Sequence, residues 1–171
     1  IYTASVVGSS DVYKRQVPYY YNEYWYMRKY EKGKDYPIYL RKYKSLDADE
    51  ELLVDVNKLA EGYSYFQLRG ISISPDNKKM AYAVDTLSRR IYTIKIKNLE
   101  TGEMYNEQIR NTTGGSTWAN DNKTLFYSSR EDITLRVNKI HKHQLGSDVG
   151  EDELVYAVSY THLTLPTSEA V

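Results

Sequence analysis

The chain has 171 residues, 23 basic against 23 acidic side chains, a formal net charge of zero and no cysteine. Balanced charge removes the long-range attraction that nucleic acid or an anionic membrane would need, and absent cysteine excludes disulfides, a thiolate metal site and a cysteine nucleophile. No apolar run approaches the roughly 18 residues of a membrane span and no basic-then-apolar leader opens the chain, so one cytoplasmic domain, or part of one, is expected, with neither nucleic acid nor membrane as a partner.

In chain order, residues 1–16 and 158–171 read as foreign to the rest. DVYKRQ at 11–16 is what the codons GAT GTG TAT AAG AGA CAG encode, and the reverse complement of that DNA in another frame gives VSYTHL, residues 158–163. Both ends look like one transposon mosaic-end adapter translated in opposite directions, whose continuation also covers Thr164 to Thr167. The native sequence is therefore expected at 17–157, as an internal slice of a longer gene. The two ends are expected to be disordered or casually placed, since nothing offsets the entropy of ordering them.

Residues 17–30, VPYYYNEYWYMRKY, hold many of the 19 tyrosines. A stacking platform for bases or sugars is one reading; a strand whose amphipathic rings pack between sheets is the other, and the one preferred. A turn at 31–35 and a returning strand at 37–43 follow, then an acidic turn at 45–51, a short strand at 52–54, and a helical turn at 56–62 stopped by Gly62. This unit lacks a first strand.

From Gly70 the pattern occurs twice. GISISPDNKKMAY at 70–82 matches GSTWANDNKTLFY at 115–127, with Gly70, Asp76, Asn77, Lys78 and Tyr82 aligned on Gly115, Asp121, Asn122, Lys123 and Tyr127 at an offset of 45 residues. In the first copy Ile71 and Ile73 alternate with serines, the period of a strand with one buried face. Pro75 to Lys78 then supply turn chemistry. Met80, Tyr82 and Val84, and after another turn Tyr92, Ile94 and Ile96, continue the period of two. A weaker fourth strand is expected at 105–109. The second copy runs to about residue 156, with strands at 135–145 and 153–156. Four antiparallel strands per unit of this length is the period of a β-propeller blade. The fold class is all-β: an incomplete β-propeller, about two full four-stranded blades plus part of a third. Such a stack cannot close a ring, and its open faces imply marginal stability and self-association.

Candidate sites resolve into structural ones. Ser116 lies in GGSTW, not in the G-x-S-x-G of a hydrolase elbow, and its counterpart in the repeat is an ordinary strand entry. His141 and His143 share one strand face as two metal ligands would, without a third ligand in their unit; His162 falls in the suspected adapter. Asn111-Thr112-Thr113 and Asn122-Lys123-Thr124 match the glycosylation pattern but read as turns. Arg28-Lys29, Arg41-Lys42 and Arg89-Arg90 are expected on solvated blade edges, where charge discourages stray pairing. No catalytic, metal-binding or cofactor-binding residue is assigned, and no cofactor is expected.

The segments EKGKDYPIYLRK (31–42), LLVDVNKLAEGYSYF (52–66), SPDNKKMAYAVDT (74–86), IYTIKIKNLETGE (91–103) and NTTGGSTWANDNKTLFY (111–127) resemble the N-terminal propeller of the prolyl oligopeptidase family of serine peptidases, in its oligopeptidase B (protease II) branch. The resemblance implies a seven-bladed propeller capping a C-terminal α/β-hydrolase domain with a Ser-Asp-His triad. It further implies cleavage of short peptides after Arg or Lys, with the propeller restricting access to small or unfolded substrates. The implied partners are that hydrolase domain and short basic peptides. None of the triad's motifs occurs here, so the chain itself is expected to be inactive. The alternative is a stand-alone propeller serving as a binding scaffold.

Overall fold

A computed structural model of the chain describes residues 12–130 and 137–157. Its contacts divide it into two compact units, one ending at Tyr63 and one beginning at Ser64.

The first unit contains β1 (Val12–Arg15), β2 (Tyr19–Tyr21), β3 (Tyr24–Glu31), β4 (Ile38–Tyr43), β5 (Glu51–Asp55) and the single helical turn α1 (Val56–Leu59). β3 pairs antiparallel with β4, and β4 with β5. The other side of β3 takes β2 along its first half and β1 along its second. Asn22 and Glu23 both have positive φ, 47° and 72°, which is the primed two-residue turn whose twist suits a hairpin. Sequence reading placed one strand across this region; the Asn-Glu turn splits it in two. Asp55 caps α1 by accepting from the Asn57 N–H. The Asn57 side chain in turn bonds both the N–H and the C=O of Tyr36, and Gly62 at φ 84° ends the segment.

Two expectations change in this unit. Tyr26 packs inside, but Tyr19, Tyr20 and Tyr21 are 63%, 51% and 68% exposed; along the hairpin Tyr19 stacks on Tyr26 at 5.4 Å and Tyr20 meets Trp25 at 5.1 Å with the rings tilted. Residues 12–15, expected to be casually placed, form β1 on the edge of β3, with Arg15 opposite Lys29 and Val12 opposite Glu31 across a bulge. Strand pairing is made by backbone groups that every sequence carries, so an open edge takes up an extended neighbour whatever its side chains. Residues 158–171 lie outside the described residues.

The second unit is one antiparallel sheet in chain order: β6 (Gln67–Ile73), β7 (Lys79–Asp85), β8 (Tyr92–Asn98), β9 (Met104–Trp118), β10 (Thr124–Arg130), β11 (Val137–Gln144) and β12 (Glu153–Ala157), with a 3-10 turn at Val149–Glu151. It contains two four-stranded blades because β9 serves in both. Its first part is the outer strand of one blade, with Ile94 opposite Ile109; its last part is the first strand of the next, with Leu125 opposite Trp118. The sequence suggested two separate strands here. The hand-over falls at Thr112, which pairs with Tyr92 on one side and Ser129 on the other. Asn111 (φ 59°) and Gly114 (φ 94°) bend the strand around it. Thr112 is fully buried; its hydroxyl donates to the Tyr92 carbonyl at 3.0 Å and accepts from the Gly114 N–H at 3.2 Å.

The repeat read from sequence is a repeat of register. Ile73 faces Met80 as Trp118 faces Leu125, and Ser72 faces Ala81 as Thr117 faces Phe126. Both turns close alike, by Ser74 N–H to Lys79 C=O and Ala119 N–H to Thr124 C=O, and Asn77 and Asn122 both take φ near 60°. The core between the blades collects Ala81, Tyr92, Ile94, Ile96, Ile109, Trp118 and Leu125, each fully buried aliphatic stabilising by about 1.5–3 kcal/mol.

At the inner seam a Cβ added to Gly70, whose φ is 67°, would lie 1.9 Å from the Gly114 carbonyl oxygen. Gly70→Ala is therefore expected to cost well over the ~1–3 kcal/mol of left-handed strain alone. Gly102→Ala is the control, with φ 78° and nothing within 4 Å of the added atom, and should cost only about 1–2 kcal/mol. Urea denaturation of the two variants gives the comparison; equal losses would mean that the seam is not tightly packed.

Candidate functional site

The surface shared by the two blades is where the second unit concentrates its polar groups. At the inner side Trp118 donates its indole N–H to the Ser72 carbonyl at 3.0 Å, and the Asp76 N–H donates to Asn122 Oδ1 at 2.8 Å. Each bond joins one copy of the repeat to the other. The Asp121 carboxyl is lowered to about 2 by bonds from the Thr124 hydroxyl and the Lys123 and Thr124 N–H groups. Asp76 is lowered as well: burial opposes its charge, but Ser74, the Lys78 N–H and Lys79 outweigh it. Both turns are thus fixed by anionic caps of the kind their Asp-Asn sequence predicts.

Farther out lies a buried polar chain. The Tyr127 hydroxyl donates to Asp152 Oδ2 and His143 Nδ1 bonds Asp152 Oδ1, each at 2.6 Å. With the carboxylate as acceptor, the imidazole carries its proton on Nδ1. His143 is completely buried, and its Nε2 faces Glu107 Oε1 at 4.0 Å. Glu107 also accepts from the Gly146 N–H. It lines a groove of about 530 Å³ between Met104–Gln108 of β9 and the Gly146–Val149 segment that follows β11. Burial, then the bond to Asp152 and its charge, push the Tyr127 phenol well above the ordinary tyrosine range.

The residues singled out from sequence fall as follows. His141 and His143 do share a strand face, but both are held by protein groups: His141 Nε2 and Ser129 Oγ share a bond of 2.9 Å, with the ring stacked on Tyr127. Among the described residues no three His, Asp or Glu side chains gather as a metal site would require; His162 lies outside them. Ser116 sits opposite Tyr127 in β9, and its hydroxyl has no hydrogen-bond partner among the described residues, hence no activating base. Asn122 is a turn residue as expected, whereas Asn111 lies within β9, where its positive φ bends the strand.

Of the basic pairs, Arg41 departs from the expected solvated edge. It is 3% exposed, paired through two bonds with Glu51 and set 4.0 Å over the Tyr24 ring. A planar guanidinium tolerates burial when fork and face are both matched. Sequence reasoning missed the Glu107–His143–Asp152 set. Only the paired histidine spacing signalled it, since Glu107 comes from β9 and Asp152 from the turn before β12.

A family model described as prolyl oligopeptidase, N-terminal beta-propeller domain, matches residues 2–166. The chain is 36% identical over 155 residues to dipeptidyl aminopeptidase BI of Pseudoxanthomonas mexicana, covering 82% of this chain and 21% of that protein. It is 32% identical over 162 residues to Protease 2 of Moraxella lacunata, covering 91% and 23%. The structure of oligopeptidase B from Leishmania major superposes with a TM-score of 0.80 at 30% identity over 87% of this chain and 21% of that one. The chain thus spans about a fifth of the length of these relatives.

The cluster implies a pH dependence. Burial lowers the pKa of His141 from its ordinary 6.5, against the raising charge of Asp152 and together with Lys139. The unfolded chain then binds more protons than the folded one just below pH 6.5, so stability is fully present above that value and falls as pH drops through it. Urea midpoints at pH 7 and pH 5 should move apart less in His141→Asn than in the wild type. An unchanged difference would remove His141 from the effect.

Proposed function

The chain belongs to the prolyl oligopeptidase N-terminal β-propeller family, and we propose that it is part of the substrate-gating propeller of a serine oligopeptidase whose catalytic α/β-hydrolase domain lies elsewhere in the parent protein. The observation that carries this reading is the pair of register-matched blades in a chain that aligns with only a fifth of each full-length peptidase. The parent cleaves short peptides after Arg or Lys in the cytoplasm; likeness to Protease 2 and to oligopeptidase B supports that preference. Chemistry in the parent is acyl transfer by a histidine-activated serine with an oxyanion hole. The gate's contribution is selection by size: a rigid stack of blades admits only chains that thread it.

This chain supplies no part of the chemistry. Ser116 is held in a strand without a base, and His141 and His143 are engaged by Ser129 and Asp152. Purified chain should release no dye from an Arg-Arg amide reporter. The full-length parent should release it, and should lose that activity when the serine of its downstream G-x-S-x-G is replaced. A parent gene with no hydrolase domain after this region would make the propeller a stand-alone binding scaffold instead.

Residues 17–157 are read as the propeller segment, with 1–16 and 158–171 as translated adapter. Complementary coding at the two ends supports this, and since the family match runs across both ends, trimming decides the matter. Removing both should leave stability within roughly 0.5 kcal/mol, the usual size of a neutral surface change. A loss of several kcal/mol, or native packing by Tyr160 and Leu163 in an experimental structure, would make the ends native protein.

A further inference from the structure

The basic pair Arg89-Arg90 is carried by residues 86–91, between β7 and β8, and nothing in the function proposed above uses it. Arg28-Lys29 and Arg41-Lys42 sit inside the paired strands β3 and β4. Arg89 and Arg90 are instead exposed, beside a Leu87 that is 68% exposed. Exposed loops are where folded chains are nicked, and a pair of arginines suits peptidases that cut after a basic residue.

The loop is tied down from beneath. Asp85, the last residue of β7, is 2% exposed, and its carboxylate accepts from the Leu87 N–H on Oδ1 at 2.9 Å and from the Arg90 N–H on Oδ2 at 3.0 Å. The Arg90 N–H is the amide of the Arg89–Arg90 peptide bond, so the carboxylate holds that bond itself. Ser88 and Arg90 both have φ 57°, a left-handed conformation that non-glycine residues keep only when their surroundings impose it.

We propose that Arg89-Arg90 is a latent proteolytic processing site, closed by Asp85. A peptidase takes its substrate as an extended chain, and neither bond can enter an active site as it stands. The amide between the arginines is occupied, and cleavage after Arg90 needs that residue to leave its left-handed conformation. Residues 86–91 must open first, and the rate of cutting follows the population of the open loop. Releasing the bonds to Asp85 is what opens it. Water then adds across the peptide bond, leaving a carboxylate on the arginine and an amine on the residue that follows. The new ends stay together, because β7 and β8 remain paired from Lys79 opposite Asn98 to Val84 opposite Thr93. The enzyme that cuts here is an arginine-directed serine peptidase, whether or not the parent of this chain is itself one.

Trypsin acting on the full chain supplies the test, with the cut sites read by mass spectrometry. The wild type should be cut slowly after Arg89 and Arg90. Asp85→Ala removes both acceptors, and cutting there should rise roughly tenfold or more, the weight of one bond to a charged group. Cutting after Arg41 and Lys95, inside paired strands, should stay unchanged. Asp85→Asn keeps one acceptor oxygen and should fall between. Should Asp85→Ala fail to fold, amide hydrogen exchange in the wild type decides, since the Leu87 and Arg90 amides should exchange more slowly than those of Ser88 and Arg89. A wild type cut at this pair as fast as Asp85→Ala overturns the proposal. So does an acceleration spread evenly over all sites, or Leu87 and Arg90 amides that exchange as fast as their neighbours.

Discussion

The second unit depends on one close approach. At Gly70 and Gly114 two backbones come so near that no side-chain carbon fits between them, and Thr112, two residues before Gly114, bonds outward to Tyr92 and inward to the Gly114 N–H. Everything larger is arranged around that contact. Because the inner strands touch there, the Trp118 indole reaches Ser72 and the Asn122 amide reaches the Asp76 N–H. Tyr92 closes the seam beside Gly114 and joins Ala81, Ile94, Ile109 and Leu125 in the shared core.

Several side chains with chemical potential are held by structural partners: Asp121 caps a turn, Arg41 is clamped by Glu51, and His141 bonds Ser129. In the gating role proposed above, shape and rigidity are what count, and both are served by polar groups that are occupied internally. Reactivity needs the opposite, a group left poised toward a substrate.

Much of the fold was legible because it is written in local grammar. The two Asp-Asn-Lys turns, the alternation of Tyr92, Ile94 and Ile96, and the matched glycines announced strands, turns and their repetition at one spacing. What was not legible depends on groups meeting across space. The fusion of two strands into β9 rests on Asn111 and Gly114 bending a continuous backbone, where Asn-Thr-Thr-Gly-Gly reads as a loop. Arg41 looked like an edge residue because its partners, Glu51 and Tyr24, stand 10 positions after it and 17 before it. The hairpin of β2 and β3 hid behind Glu23, a residue seldom found at positive φ. For the candidate site the histidine spacing was visible, but neither carboxylate that flanks His143 was, since Glu107 comes from β9 and Asp152 from the turn before β12.

The sharing of β9 bears on how this structure comes apart. In an ordinary repeat array each unit has its own stability and a separate coupling to its neighbour, so end units fray while the middle holds. Here the outer strand of one blade is covalently the inner strand of the next, and pulling Thr112 from its place removes a ladder from each. The two blades should therefore open as one foldon, with the amides along β9 exchanging hydrogen only when both are lost. A cut or insertion at residues 111–114, the stretch that looks most loop-like in the sequence, strikes the joint through which the blades hold one another.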